Sequence, residues 1–208
     1  MKYTSRLIEE AVEALSLLPS IGKKSALRLV LYLLSQNKDK SDRISKAIHK
    51  LSTEIKSCQK CHAYADTTVC SICADSRRSK KVICVVESVR DLMAIEETQQ
   101  YNGTYHILGG LISPLDGRGP DDIHIASLIH RVSEDQADEL IMAISPTIEG
   151  ETTIYYISRL LAESNVRISV ISRGVSFAGE LEYADELTLG RSIQSRIPYH
   201  QKSLSSEV

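Results

Sequence analysis

Lys81-Val-Ile-Cys-Val-Val-Glu-Ser88 is the segment that decides the fold class of this 208-residue chain. Its five central residues, 82–86, are apolar and mostly β-branched, and the carboxylate of Glu87 follows at once. A continuous apolar run of this length, without polar alternation, is typical of a strand that is buried on both faces of a parallel sheet. The segment therefore predicts the first strand of an α/β domain.

The residues that follow alternate between strand-like and helix-like patterns. Helices are predicted at 91–99, 122–132 and 149–163, and further strands at 104–108, 139–145 and 167–171. Short connections between such elements predict an α/β sandwich around a mostly parallel sheet. Functional residues of these sheets gather where the strands end. The sequence places Glu87, the segment 145–149 and the Gly/Pro/Asp-rich loop 109–122 at such ends.

Upstream of the strand, four cysteines form two Cys-x-x-Cys pairs with eight residues between them: Cys58, Cys61, Cys70 and Cys73. Each pair turns back tightly enough for two thiolates to bind one tetrahedral ion. Four protein ligands leave no position open for water, so we expect one structural zinc ion per chain. Disulfides and a paired redox site are the alternatives, but a reducing cytoplasm disfavours disulfides. Cys84 is predicted to be a small core residue, and His62 a surface residue.

The first 56 residues are predicted to form a helical module. Two helices flank a turn at Pro19-Ser-Ile-Gly22, where Gly22 tolerates a positive φ. The second helix, 26–34, is apolar nearly all round and is therefore predicted to be largely buried. Ser41 is a candidate cap for a third helix, whose apolar face holds Ile44, Ala47, Ile48, Leu51 and Ile55.

The turn between the first two helices holds the candidate DNA-binding residues: Gly22, Lys23, Lys24, Ser25 and Arg28. Residues 18–26 resemble a helix–hairpin–helix element, in which backbone N–H groups and a helix N-terminus contact DNA phosphates without reading bases. Ser20 stands where that element usually has its first glycine, and a serine there is expected to strain the turn. A structural helical hairpin with incidental lysines is the alternative. A nucleotide-binding phosphate loop is excluded because position 17 holds leucine rather than glycine.

Charge is divided unevenly along the chain. Residues up to Lys81 include 16 Lys and Arg against 8 Asp and Glu, whereas the remainder includes 9 against 19. The basic part is where we expect a polyanion to dock, the alternative being a solvated, lysine-rich helical face. Apolar runs are far shorter than the roughly 20 residues of a membrane span, and the N-terminus lacks the apolar core of a signal peptide. The sequence therefore predicts a cytoplasmic protein with no membrane partner.

The α/β part resembles the Toprim domain of topoisomerases and primases. In that family a glutamate after the first strand acts as acid or base, and an Asp-x-Asp pair after a later strand binds magnesium. Glu87 fits the first position, but Ser145-Pro-Thr147 stands in place of the paired aspartates, which leaves Asp91 and Glu149 as the nearby carboxylates. We expect magnesium to bind weakly at best and strand-cleavage chemistry to be absent. A carboxylate that caps the next helix is the alternative role for Glu87.

Taken in order, these modules resemble the RecR family of bacterial recombination proteins, over about residues 5–199. The resemblance also includes the segments 85–92, 108–117, 146–151 and 179–191. It implies a helix–hairpin–helix module at 1–56, a zinc finger at 57–76, a Toprim-like domain at 80–175 and a C-terminal subunit-contact region at 176–208, where 181–185 look like a Walker B strand.

The resemblance to this family further implies a function in recombinational DNA repair. RecR-like proteins form a tetrameric ring that encircles DNA and, with RecO and RecF, help load the recombinase at gaps coated with single-strand-binding protein. The expected function is therefore a non-enzymatic DNA clamp. A metal-dependent nucleic-acid enzyme that uses Glu87 with Asp91 or Glu149 is the alternative.

Overall fold

The computed structural model describes residues 3–172, 174, 181–183 and 185–194 of the chain. Within them the chain divides into two compact units. The first contains the N-terminal residues up to Ser57 together with Tyr64–Thr68, and the second contains Cys58–Ala63 together with the residues from Val69 onward. Most of the predicted subunit-contact region, 176–208, lies outside the described residues.

The first unit is helical, as the sequence predicted. Its elements are α1 (Arg6–Ser16), α2 (Lys23–Leu34), α3 (Lys38–Glu54) and the two-residue antiparallel strands β1 (Lys56–Ser57) and β2 (Tyr64–Ala65). A small core forms where α1 packs against α2, around Val12, Ala26 and Val30.

Two predictions about this unit are wrong. The helix predicted at 26–34 begins at Lys23 and is not largely buried, because Leu31 and Leu34 are 51% and 66% exposed. Ser41 does not cap the third helix. Asn37 does so, since its side chain accepts a hydrogen bond from the Asp39 N–H. Asn and Ser are similarly good N-caps. Asn37 is the cap because α3 begins at Lys38, which is earlier than the apolar pattern indicates.

The second unit confirms the predicted α/β fold around a parallel sheet. Its elements, in chain order, are α4 (Ser71–Ala74), β3 (Ser79–Val86), α5 (Val89–Glu97), β4 (Gly103–Ile107), α6 (Ile125–Glu134), β5 (Glu139–Ala143), α7 (Ile148–Leu160), β6 (Arg167–Val170) and α8 (Glu186–Gln194). The strands lie in the order β4-β3-β5-β6, and all three pairings are parallel. The interior of the unit is apolar, with Ile83 and Val85 of the central strand β3 fully buried. Cys84 is 2% exposed and is a core residue, as predicted.

Some boundaries and one element differ from the prediction. The helix predicted at 122–132 begins at Ile125, because Pro120–Asp122 form a separate 3-10 turn before it. The segment that resembles a Walker B strand is not a strand where it is described, since Leu181–Tyr183 form a 3-10 turn. Across the described part of the chain, no helix has the length and apolar character needed to cross a bilayer.

Candidate metal centre and nucleic-acid interface

The four predicted zinc ligands lie together in the second unit. Their sulfur atoms are all within 4.8 Å of one another, and all four side chains are buried. In the described part of the chain they are the one group of three or more Cys, His, Asp or Glu side chains that is arranged to hold a metal ion. The cysteines are free thiols, so the disulfide alternative is wrong.

Local backbone geometry turns each cysteine pair toward the shared centre. In the first pair, the Cys58 N–H donates to the Ala63 carbonyl at 2.7 Å, and the His62 N–H donates to the Cys58 carbonyl at 2.9 Å. In the second pair, Cys70 is the N-cap of α4, and its sulfur accepts from the Cys73 N–H at 3.5 Å. The Cys70 N–H points at the Cys58 sulfur from 3.3 Å. Such N–H donors stabilise negative charge on sulfur.

The proximity of the thiols couples their protonation. Cys61 and Cys70 have their sulfur atoms 3.5 Å apart, and this hydrogen bond raises the pKa of Cys61 while it lowers the pKa of Cys70. The thiols therefore cannot all carry negative charge together without a compensating cation. A zinc ion removes this conflict because a dication compensates several thiolates at once. The donor set, its burial and its N–H donors therefore fit zinc.

The candidate DNA-binding turn has its left-handed residue at Ser20 rather than at Gly22. Ser20 has a φ of 66°, in the left-handed region, whereas Gly22 has a φ of −81°. Gly22 therefore does not use the positive φ that a glycine tolerates. The residue that needs the left-handed conformation is Ser20, at the position where the helix–hairpin–helix pattern has glycine. A non-glycine residue in this conformation costs about 1–2 kcal/mol.

Gly22 has a different reason to be a glycine. It is the N-cap of α2, and a Cβ atom built on it meets no other atom within 4 Å. Neither its own conformation nor the packing of the chain requires glycine there. As the N-cap, Gly22 adjoins the first turn of α2, whose N–H groups have no partner within the helix and are the groups that bind anions at helix N-termini.

The three cations of the turn lie in the first two turns of α2. Lys23, Lys24 and Arg28 are exposed, and Ser25 is partly exposed. Within the described ranges, none of the three cations forms an ion pair with a carboxylate. Lys24 and Arg28 are one helical turn apart and share a face of α2. All five candidate DNA-binding residues therefore lie at the N-terminal end of α2.

The carboxylates at the sheet edge are less free than the sequence indicated. Glu87 is half-buried after β3. Burial raises its pKa, the nearby Asp91 raises it further, and Arg118 opposes the shift. The Asp91 carboxylate accepts hydrogen bonds of 2.8 Å from both the N–H and the hydroxyl of Ser88, as part of the capping box of α5. Asp91, rather than Glu87, is therefore the carboxylate that caps this helix.

The segment 145–147, where the Toprim family has its paired aspartates, also contains a helix cap. Thr147 is the N-cap of α7, and its hydroxyl accepts from the Gly150 N–H at 3.1 Å. Glu149 lies in the first turn of the same helix. Among the described residues, Glu87, Asp91 and Glu149 do not form a group able to hold a metal ion.

Four family models match this chain, each over one of the parts described above. A RecR helix-hairpin-helix model covers residues 8–51, and a RecR zinc finger domain of the four-cysteine type covers residues 55–75. A Toprim domain covers residues 81–172, and a RecR C-terminal model covers residues 174–197.

Curated relatives match over nearly the whole chain. "Recombination protein RecR" from Amoebophilus asiaticus is 54% identical over 96% of this chain and 100% of its own length. The protein of the same name from Flavobacterium johnsoniae is 52% identical, over 97% of this chain and 98% of its own. The chain belongs to the RecR family. Membership assigns a role in recombination, and it confirms the predicted helix–hairpin–helix, zinc-finger and Toprim parts.

The contacts of His62 in this RecR-family chain were not predicted from the sequence. His62 is not the surface residue predicted, because its ring stacks on His124 with the centroids 3.8 Å apart. Its Nε2 is hydrogen-bonded to the hydroxyl of Ser127 at 2.8 Å, and Arg131 lies buried one turn further along α6. His124, Ser127 and Arg131 have spacings of three and four, which place them on one helical face. This spacing is visible in the sequence, and it could have indicated that the three side chains share one contact face of α6.

Proposed function

We propose that this RecR-family protein is a non-enzymatic DNA clamp that mediates recombination. The observation that carries the proposal is the surface formed by Gly22, Lys23, Lys24, Ser25 and Arg28. It combines an open helix N-terminus with cations that no carboxylate neutralises within the described residues. Such a surface binds phosphates and carries no means of reading bases.

A test of this surface replaces Lys24 and Arg28 together by Ala. Both side chains are exposed, so the fold is expected to remain intact. Fluorescence anisotropy with labelled gapped DNA between about 50 and 200 mM salt should show weaker binding and a salt slope that falls by about 2, one for each lost phosphate contact. The matched control replaces Arg77 and Arg167 by Ala, since both are exposed arginines in the other unit. An unchanged slope in the Lys24/Arg28 variant contradicts the proposed interface.

The absence of catalysis is part of the proposal. Asp91 and Thr147 are used as helix caps, which leaves Glu87 without the paired acidic partners that hard dications need. Magnesium therefore binds weakly at most. The alternative, a metal-dependent nucleic-acid enzyme, predicts turnover of supercoiled, nicked or gapped DNA with Mg²⁺ that Glu87→Gln abolishes. Such turnover contradicts the clamp.

The four cysteines are proposed to bind one structural zinc ion per chain. Cys58, Cys61, Cys70 and Cys73 supply four sulfur ligands and leave no position for water or substrate. Zinc therefore supplies folding energy to this part of the chain and no reaction chemistry.

A clamp that encircles DNA needs more than one copy of the chain, and the first unit has an apolar face that a second copy fits. No residue of α3 is buried, and Ile48 and Leu51 on its apolar side are 61% and 62% exposed. Ser41 and Ser45 of α3 and the exposed side chains Leu7 and Leu34 also line an apolar groove of about 540 Å³. Burial of this face against another copy stabilises an oligomer, which we propose to be a tetrameric ring.

Family resemblance supplies the remaining parts of the proposal. We propose RecO and RecF as partners in loading the recombinase at gapped DNA, and the cytoplasm as the compartment. The domain boundaries 1–56, 57–76, 80–175 and 176–208 are retained as proposed limits. Co-elution of the purified protein with RecO or RecF on size exclusion supports the partnership, and separate elution of both at micromolar concentration contradicts it.

A further inference from the structure

The outer edge of β4 is sealed by groups that do not belong to the sheet. β4 pairs only with β3 in the described sheet, yet all five of its residues are buried. The backbone groups of an edge strand that point away from its neighbour belong to every second residue. In β4 these residues are Gly103, Tyr105 and Ile107, because their carbonyl groups find partners outside the sheet.

Each of these carbonyl groups accepts a hydrogen bond from a different side chain. Arg78 donates to Gly103 at 3.1 Å, Arg131 donates to Tyr105 at 2.5 Å, and His124 donates to Ile107 at 3.0 Å. The Ile107 N–H donates to the carbonyl of Cys61 at 2.9 Å. The backbone of a zinc ligand thus takes the place that a further strand of the sheet would occupy.

Arg131 joins this edge to the first cysteine pair. Its side chain is 7% exposed, and the Nη1 that bonds to β4 also donates to the carbonyl of Lys60, between Cys58 and Cys61, at 3.3 Å. Nη2 donates to the Thr104 hydroxyl at 2.8 Å, and Nε donates to the Asp135 carboxylate at 3.0 Å. One planar guanidinium therefore holds α6, β4 and the cysteine loop in fixed relation, which the point charge of a lysine cannot do.

The stack of His62 on His124 also holds the loop of the first cysteine pair. His62, directly after Cys61, has a φ of 63° and presents its ring flat against His124, with an angle of 9° between the ring planes. His124 is the N-cap of α6, and its carbonyl accepts from His106 at 2.8 Å. Burial lowers the pKa of His106 to about 3, so the ring stays neutral at physiological pH. The cysteine loop is thereby attached to both ends of α6.

We propose that Arg131 is a positioning residue for the zinc ion, which makes zinc retention and the folding of the α/β unit one cooperative event. The inference rests on the proposed zinc site. Four thiolates outweigh the charge of one zinc dication, and the guanidinium compensates part of the excess negative charge from the loop beside the ligands. Residues that hydrogen-bond around metal ligands typically change metal affinity by about 10–100-fold when they are replaced.

The test measures zinc release from Arg131→Met into a chelating dye, at a temperature well below the Tm of every variant. We expect release to be about tenfold faster than from the wild type, or more. Arg131→Lys keeps the charge but loses the fork, and we expect it to release zinc faster than the wild type but more slowly than Arg131→Met. The matched control is Arg167→Met, since Arg167 is an exposed arginine on the opposite edge strand, β6. It should stay within about twofold of the wild type.

The outcomes separate this inference from the proposed zinc site. A wild-type protein without zinc contradicts the site itself. Zinc-loaded Arg131→Met that melts at a lower temperature but releases zinc at the wild-type rate shows a merely structural arginine and contradicts the inference. If Arg131→Met does not fold, Arg131→Lys decides, because lysine keeps the charge and much of the volume while the fork is lost. Wild-type release from that variant also contradicts the inference.

Discussion

The two units of this chain differ in how completely each satisfies its own groups. In the α/β unit the edge strand, the cysteine loop and the buried Arg131 all find partners within the unit. In the helical unit, leucines and isoleucines of all three helices remain exposed, and the cations of the turn have no carboxylate partner in the described residues. The α/β unit also exposes apolar side chains, such as Leu115 and Ile148, so the contrast lies in its paired strand edge and paired cations rather than in its apolar surface. We propose that the open apolar and charged surface of the helical unit binds phosphate and another copy.

The largest effect is expected from loss of zinc in the self-contained unit. Cys73→Ser removes a ligand, and because the binding energy of a structural zinc ion is folding energy, we expect the loss of several kcal/mol and of about 10 °C or more in Tm. Cys84→Ala is the matched control, a buried cysteine outside the cluster, with an expected cost of about 1–2 kcal/mol. Metal analysis and thermal melting check both. If Cys73→Ser melts like Cys84→Ala, zinc is not what completes this unit.

The next effect concerns the exposed face of α3. Ile48→Asp places a charge on the apolar side, and we expect the mass in solution to fall to a smaller oligomer or a monomer, since an unpaired charge buried in an interface costs several kcal/mol. Light scattering after size exclusion measures the mass. His49→Asp is the control, because His49 is exposed on another face of the same helix. A wild-type monomer, or an unchanged mass for Ile48→Asp, contradicts the proposed assembly.

Two glycines, Gly150 and Gly22, allow the difference between the units to be measured as changes in stability and in DNA affinity. A Cβ on Gly150 overlaps the Ser145 carbonyl oxygen, so Gly150→Ala should cost about 1–3 kcal/mol of stability. Gly22→Ala should change stability by less than about 0.5 kcal/mol, because a poorer N-cap offsets the lower entropy of the unfolded chain. Its effect should appear in DNA affinity, where each lost N–H contact is worth about 0.5–1.5 kcal/mol.

Chemical denaturation and anisotropy measure the two glycine variants. Gly150→Ala, compared at a temperature where it is folded, is the control for DNA binding and should bind like the wild type. If Gly22→Ala binds DNA with unchanged affinity, the open space at α2 is not a phosphate site. If it unfolds instead, Gly22 serves the fold, and the contrast between the two units is wrong at this position.

The sequence predicted best what depends on local spacing. Cys58 and Cys61 are separated by two residues, as are Cys70 and Cys73. This spacing was enough to predict a tetrahedral metal site. The apolar run at 82–86 likewise predicted the central strand, because only a strand buried on both faces uses such a run.

What the sequence failed to predict depends on partners distant along the chain. The apolar periodicity of α2 predicted burial, but periodicity does not say whether the covering surface lies in the same chain. The strain expected at Ser20 fits its φ of 66°, but the pattern alone did not show which residue of the turn is left-handed. The contact of His62 with His124 joins residues 62 positions apart, and no local pattern around His62 indicated it.

The smallest effect is expected at Glu87, where the α/β unit departs from complete pairing. Burial, with Asp91 as a second cause, raises the pKa of Glu87 above 4.5. The folded state then binds this proton more tightly than the unfolded state, so stability falls as the pH rises through the raised pKa.

Glu87→Gln removes the penalty, and we expect its Tm to exceed that of the wild type by about 1 °C near pH 7. The two proteins should converge below about pH 4, where Glu87 is protonated in both states. Melting curves across this range, with the exposed Glu97→Gln as control, measure the difference. A gain that persists at the lowest pH arises from packing or hydrogen bonding of the glutamine, and it contradicts a charge penalty at this edge.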